Sequence, residues 1–410
     1  MDGMVVTMIL TPAPDGPLEG IRVIDLTTRL GAYTGRLLSD LGAEVIRVEP
    51  REGAPERNNA PRMEDGISFS FAFTEAGKQS LIADSSDADY AVQLEHLLDT
   101  AQMLLTSEGP ALLRARDLHP EDVTDRHPGL VHVSISPFGL TGQYADRPAS
   151  DLTLLAAGGL LGLAGDPDRE PLRAWGNQTS VIAGVHAAAA ALIALLSLES
   201  TGRGQFVDLS VQEAVAHSLE NAVQYLDLEG VVRKRVGAGP AEAGTGLFQC
   251  ADGWVYLVGG LGGRPLAWES IIEWLTAQGV NEARTLDADK WQERTWRRSL
   301  EGSTAFRQIF EKFARTRTKQ ELYESGQGRG ISIAPVAMPE DLINDPQLVA
   351  RDFFRTIDVG GNPLRFPGPP YRFANAYVGP RSGPPALGSA TESLADVDAA
   401  ADLGYERTPA

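Results

Sequence analysis

An α/β fold is predicted, with a doubly wound, Rossmann-like large domain followed by a smaller α+β domain. Three observations carry this. Short apolar runs bounded by polar residues recur at Ile21–Leu26, Glu44–Val48, Ser80–Ala83, Met103–Thr106 and Leu130–Ser136, the pattern of strands buried on both faces. Segments with leucines at helical spacing lie between them, so strand and helix alternate as in βαβ units. At 410 residues the chain also exceeds what one ordinary core organises, which makes two domains the default.

Taken in order, Ile21–Leu26, the helical stretch Gly31–Leu41 and the run Glu44–Val48 make the first βαβ unit. Its turn, Thr27–Gly31, lacks G-x-G-x-x-G, so dinucleotide binding is not indicated. That turn nevertheless lies at the carboxyl end of the first strand, where open α/β sheets bind ligands. A helix is predicted near Tyr90–Thr100, another after Pro110, and a third at His119-Pro-Glu-Asp, where Pro suits the first turn. The fifth run ends at Gly139-Leu-Thr-Gly142, and a polar loop leads to Asp151 and a small-residue helix, Leu152–Ala164. A long Ala-rich helix, Val181–Leu198, then feeds through Thr201-Gly-Arg-Gly-Gln205 into the strand Phe206–Ser210.

Beyond Leu226 the character changes. A basic cluster, Val231–Val236, runs into a Gly-rich loop ending at Gly246. Leu247–Cys250 and Trp254–Val258 bracket Asp252-Gly253, a hairpin turn signal. Helices are expected around Leu266–Ala277, Lys290–Leu300 and Phe306–Phe313. The predicted boundaries are 18–226 for the large domain, 236–340 for the small one and 341–410 for an extended, Pro-rich arm, with the tail from Ser389 partly mobile.

A net charge of −19 argues against nucleic acid as a partner, and any anionic ligand needs a locally basic pocket. The single cysteine, Cys250, excludes an intramolecular disulfide and suits a cytoplasmic setting. No His/Cys cluster with metal-ligand spacing is visible, so neither a metal nor a covalently bound cofactor is expected. The N-terminal apolar run has no basic n-region, so a secretory leader is not expected. The Ala-rich helix is nearly long enough to cross a bilayer, but its composition fits a buried helix packed through small side chains, and no membrane is implied.

Several stretches, in this order and spacing, resemble the class III CoA-transferases. They are Leu18-Glu-Gly-Ile-Arg-Val-Ile-Asp25, Asp40-Leu-Gly-Ala-Glu-Val-Ile-Arg-Val-Glu-Pro50, Leu130–Ser136, Thr201–Gln205, Cys250-Ala-Asp-Gly253, Ile333-Ala-Pro-Val336, Phe366-Pro-Gly-Pro-Pro370 and Ala386-Leu-Gly388. The resemblance covers nearly the whole chain and implies acyl-CoA and a carboxylic acid as substrates. It also implies an arm that returns to the large domain, in a dimer of two interlocked rings.

The same resemblance implies an aspartate nucleophile four residues before the Gly that opens the long helix. Counting back from Thr201–Gln205 makes that Gly Gly184 and the nucleophile position Ser180, and Trp175–Ser180 contains no acid at all. A serine cannot simply substitute: its hydroxyl needs a base, and the ester formed lies well below a thioester in energy. The second acid of the transferase site corresponds to Asp151, which can equally be a first-turn residue favoured by the helix dipole. The related α-methylacyl-CoA racemases need a His, an Asp and a Glu where this chain has Ser150, Ser180 and Gly262, so acid–base racemisation is rejected. Asp146, Asp166 and Asp168 are expected to be solvated.

The CoA-facing positions implied by the resemblance are Thr28, Leu30, Lys78, Ser107 and Arg114. Leu30 stands where transferases commonly carry Gln, and Glu75 and Glu108 place negative charge near the expected phosphates. Arg47, Arg51 and Arg116 are further phosphate candidates. Gly237, Gly239, Gly244 and Gly246 match the mobile loop that shields the family's intermediate. Three readings stay open: a transferase subunit working with a catalytic paralogue, or as a homodimer; a self-sufficient transferase using Asp151; and a non-enzymatic CoA-binding scaffold.

Overall fold

The computed structural model of the chain describes residues 16–237, 242–261, 264–265 and 267–391. The N-terminal apolar run, Gly239 and Gly262 lie outside them. The described chain divides into two compact units, one of residues 16–161, 173–230 and 347–391, the other of 162–172 and 231–346. Segment 162–172 was predicted inside the large domain. It groups with the second unit because the Arg235 guanidinium donates to the carbonyls of Gly162, Asp166 and Arg169 at 3.2, 3.1 and 3.1 Å.

The first unit is built on six parallel strands: β1 Arg22–Asp25, β2 Glu44–Glu49, β3 Gln79–Ile82, β4 Met103–Thr106, β5 Val131–Ser136 and β6 Phe206–Ser210. Their spatial order is β3-β2-β1-β4-β5-β6, so the direction of winding reverses between β1 and β4. The helices are α1 Ala32–Asp40, α2 Phe69–Glu75, α3 Tyr90–Thr100, α4 Pro110–Ala115, α5 Pro120–Arg126, α6 Asp151–Ala157, α7 Leu160–Leu163, α8 Gln178–Thr201, α9 Val211–His217 and α10 Ala222–Glu229. Alternation along the strands separates two cores. Val23, Val45, Met103, Val131 and Val133 join residues of α1, α6, α8 and α9, whereas Ile24, Ile46 and Leu104 join those of α3, α4 and α5.

Two helices differ from the prediction. The small-residue helix breaks at Gly158-Gly159, where Gly159 has φ +88° and a Cβ on Gly158 would lie 2.5 Å from Val215. The Ala-rich helix starts three residues earlier than expected and is buried on one face only. Ala183, Gly184, Ala187, Ala191 and Ala194 pack inward, and a Cβ on Gly184 would sit 2.9 Å from Tyr33 of α1. Val185, Ile193 and Leu196 are exposed on its other side.

The outer edge of β3 is covered by the chain's own arm, which keeps it from pairing with other strands. Ala390 N–H donates to the Ser80 carbonyl at 2.8 Å, and Ile82 N–H to Thr391 Oγ1 at 3.1 Å. Residues 389–391, the start of the tail expected to be partly mobile, are thus hydrogen-bonded to β3, and the rest of that tail lies outside the described residues. The hairpin Phe354–Val359/Asn362–Pro367 packs Val359 and Phe366 against Ala72 and Ala76.

His132 of β5 is buried, with Nε2 3.0 Å from Thr106 Oγ1. Burial, with a smaller contribution from His119, lowers its pKa from 6.5 to about 3. Between those values the unfolded chain binds a proton that the folded chain refuses, so this contribution to stability is complete above pH 6.5 and is lost as pH falls toward 3. From this group alone, stability at pH 5 is expected to be about 2 kcal/mol lower than at pH 7. Denaturant titrations of the wild type and His132→Phe at both pH values check this, and an equal pH dependence in the two would refute it.

The second unit is α+β. Strand β7 Thr245–Cys250 pairs antiparallel with β8 Gly253–Val258, and Ser332–Pro335 pairs on the other side of β8. Trp268, Trp274, Phe248, Phe306 and Phe310 form its core. The helix predicted over Lys290–Leu300 is replaced by a 3-10 turn, Asp289–Gln292, and a single turn, Arg294–Arg297. Ser299 then caps the long helix Leu300–Ala314, its hydroxyl accepting from Gly302 N–H.

Candidate active site

The winding reversal leaves a crevice at the carboxyl ends of β1 and β4, and two of the predicted CoA-facing residues meet there. Thr28 N–H donates to Ser107 Oγ at 2.7 Å, and the two hydroxyls are 3.0 Å apart. Arg114 stands exposed on α4. Leu30 is a core residue instead, packed with the α1 and α8 side chains.

Lys78 is also not where a phosphate ligand would meet it. Its Nζ lies 2.8 Å from Asp25 Oδ2, 2.7 Å from Glu75 Oε2 and 2.8 Å from the Ala32 carbonyl, and Lys78, Asp25 and Glu75 side chains are all fully buried. Two of its donors go to Asp25 and the Ala32 carbonyl, Glu75 is its ion-pair partner, and burial of all three side chains closes it off from a ligand. Burial alone would raise the Asp25 carboxyl, but Lys78 and Arg47 outweigh it and hold it below the usual carboxylate range. Glu75 pairs with Arg47 at 3.0 Å as well as with Lys78. Glu108 pairs with Arg116 at 2.6 Å. The repulsion of phosphates expected from Glu75 and Glu108 is thus offset by adjacent cations. Arg47 is buried among carboxylates, and Arg51 is paired with Asp87 at 2.7 Å.

Ser180, where the resemblance puts a nucleophile and which was expected in a loop, lies in the first turn of α8. Asn177 occupies the N-cap position but makes no side-chain cap. Asp151 supplies it from another helix: Oδ1 accepts from Thr179 N–H and from Thr179 Oγ1, both at 2.9 Å. Its own helix, α6, is capped by Ser150, which forms a capping box with Thr153. The other Asp151 oxygen, Oδ2, has no hydrogen bond and is 3.5 Å from Arg173 Nη2. Ser180 is 4% exposed and its Oγ is likewise without a hydrogen-bond partner. Asp151 and Ser180 are therefore brought to the same helix end, beside a positive dipole.

Ser180 lines a cleft of about 900 Å³. Its walls include Tyr33, Phe69, Phe71, Phe73 and Trp175, with Arg29, Arg173 and Glu56 as the charged groups. Tyr33 and Phe73 stack with centroids 5.4 Å apart, and Trp175 is 92% exposed. Sequence reasoning missed Arg29, Arg173 and the α2 aromatics. The alternating Phe69-Ser-Phe-Ala-Phe73 is the visible signal, yet it forms a helix because Ser68 Oγ accepts from Phe71 N–H.

Of the predicted lid glycines, the described ones hold tight backbone positions. Gly237 has φ +66°, donates to the Gly165 carbonyl, and would place a Cβ 2.5 Å from Asp166 Oδ1. Gly244 has φ +82° and accepts from Gly259 N–H, and Gly246 lies within β7. Asp146 is not merely solvated, since its Oδ1 accepts from Ala111 N–H at the start of α4, at 2.9 Å.

Residues 18–391 match the family described as CoA-transferase family III. The chain is 38% identical to the succinyl-CoA:(R)-benzylsuccinate CoA-transferase subunit BbsE of Thauera aromatica, over 91% of this chain and 92% of that protein. It is 28% identical to the succinyl-CoA–L-malate CoA-transferase alpha subunit of Chloroflexus aurantiacus, over 84% and 80%. Among solved structures, a CAIB/BAIF family protein from Brucella suis superposes with a TM-score of 0.82 at 26% identity, covering 93% of this chain and 99% of that one.

Proposed function

The chain belongs to CoA-transferase family III, and we propose that it is the non-nucleophilic subunit of a two-chain acyl-CoA:carboxylate CoA-transferase. The observation that carries this is Ser180, at the family's nucleophile position, in a segment Trp175–Ser180 without a carboxylate. The nucleophile then comes from an Asp-bearing paralogue. A carboxylate oxygen of that Asp attacks the thioester carbonyl, the C–S bond breaks, and CoA leaves as thiolate. The thiolate attacks the Asp carbonyl of the mixed anhydride so formed, giving an aspartyl-CoA thioester and releasing the donor acid. The acceptor carboxylate attacks that thioester and frees the thiolate again. The thiolate then takes the acceptor's acyl group from the second anhydride, restoring the free Asp. No oxidation or reduction is involved.

Two relatives carry "subunit" in their names, in keeping with such an assembly. So does the exposed apolar surface of the large unit, with Val185, Ile193 and Leu196 on α8 and Val223, Leu226 and Leu228 on α10. Exposed apolar side chains clustered on a helix face mark association sites. An interlocked dimer, most simply with the unlike partner, covers it. The buried, single Cys250 fits a cytoplasmic setting.

A second reading makes Asp151 the nucleophile, favoured by its hydrogen-bond-free Oδ2. The two bonds that Thr179 donates to Oδ1 oppose it, because they commit the carboxylate to capping α8. Light scattering on a sizing column, for the chain alone and with its paralogue, tests the assembly. A dimer that includes the paralogue is expected, and a stable monomer that ignores the paralogue contradicts it.

A further inference from the structure

The cleft beside Ser180 has a charge and a lining that a vacated nucleophile position does not by itself require. In a chain of net charge −19, its charged lining is two guanidinium groups, Arg29 and Arg173, against one carboxylate, Glu56. Glu56 is itself paired with Arg47 at 3.3 Å. Arg29 makes no ion pair among the described residues, and Arg173 only the long one to Asp151. The cleft wall itself thus carries more guanidinium than carboxylate on an acidic protein, with the buried Asp151 carboxylate behind Arg173.

Ser180 adds a second, independent feature. It sits in the first turn of a 24-residue helix, is 4% exposed, and its hydroxyl has no hydrogen-bond partner. A buried hydroxyl without a partner is unfavourable, and an acceptor oxygen from a ligand would relieve it. The third feature is aromatic. Phe69 and Trp175 line the cleft with large exposed apolar surface, 46% and 92%.

We infer that this cleft binds, without covalent reaction, a carboxylic acid that carries an aromatic ring. The carboxylate is held by guanidinium groups of Arg29 and Arg173 and accepts from the Ser180 hydroxyl, and the ring lies against Phe69 and Trp175. Planar forks suit a carboxylate better than an ammonium would, and ring contacts supply apolar area with preferred geometry. A serine serves this purpose where an aspartate would repel the ligand. The inference deepens the proposed function: it rests on that reading for the acid being an acceptor of CoA, but not for the binding itself.

Calorimetric titration of the full chain, without CoA, tests it with three probes: 3-phenylpropanoate, propanoate and 3-phenylpropanamide. The first is expected to bind at least about tenfold more tightly than either of the others, since propanoate lacks the ring and the amide lacks the charge. Trp175→Ala, and at least one of Arg29→Gln and Arg173→Gln, are each expected to weaken 3-phenylpropanoate about tenfold. Ser180→Ala should weaken it by less, and Ser180→Asp by more. Equal affinity for the three probes, no measurable binding of 3-phenylpropanoate, or unchanged affinity in Trp175→Ala overturns the inference. CoA exchange by the two-chain enzyme is assayed in parallel with an aliphatic acceptor. Exchange without aryl-acid binding overturns this inference and leaves the transferase reading standing. Aryl-acid binding without exchange supports the site and removes its assignment as an acceptor site.

Discussion

Purified by itself, the chain is expected to exchange no CoA between an acyl-CoA and a free carboxylate above the uncatalysed rate. Adding the Asp-bearing paralogue should raise exchange by at least about a thousandfold, a modest demand on covalent catalysis. The reason is chemical. The acylated nucleophile must be at least as reactive as the thioester it came from, which an acyl-aspartate is and an acyl-serine is not. Ser180 moreover has no base bonded to its hydroxyl. Chromatographic analysis of acyl-CoA products, for the chain alone and for the pair, decides the matter. Robust exchange by the isolated chain would overturn the two-chain proposal.

Replacing Lys78 by Met is expected to destabilise the large unit by about 3–5 kcal/mol, the scale for removing one partner of a buried charge cluster. Lys78 is enclosed with Asp25 and Glu75, at 2.8 and 2.7 Å, and all three side chains are fully buried. Without the ammonium, Asp25 and Glu75 are left with the guanidinium of Arg47, which already pairs with Glu56, and the Ala32 carbonyl loses its donor. Against a total stability of roughly 5–15 kcal/mol this is a severe loss. The double variant Lys78→Met with Asp25→Asn should recover part of it, because one uncompensated charge is gone. Urea titrations followed by circular dichroism measure both. A loss under about 1 kcal/mol would show that the cluster is not electrostatically coupled as described.

The parallel sheet was legible because each strand is a short, nearly unbroken apolar run, and βαβ spacing leaves few other arrangements for such runs. The start of α8 was not. Asn177 is a residue type that caps helices but makes no cap here, and Thr179 N–H is met by Asp151, 28 residues away. Lys78 was misplaced for a related reason. The resemblance implied a CoA-facing lysine, whereas its surroundings are set by Asp25, 53 residues away. The grouping of 162–172 with the second unit depends on Arg235 meeting carbonyls 66 to 73 residues distant. In each case the deciding interaction is long-range, and periodicity carries no record of it. That Trp175–Ser180 holds no acid is plain in the sequence, and the resemblance is what gives that segment its meaning. The arginine- and aromatic-lined cleft around Ser180 needed the fold, because Arg29, α2 and the segment before α8 converge only in three dimensions.

The most direct measurement is hydroxylamine trapping on the two-chain enzyme turning over an acyl-CoA. Hydroxylamine converts an activated acyl-aspartate to a stable hydroxamate, which peptide mass spectrometry assigns to one residue of one chain. The expected result is a single hydroxamate, on the partner's aspartate, with none on this chain. A hydroxamate on Asp151, or on any other carboxylate of this chain, would contradict the proposal that its own site supplies no nucleophile.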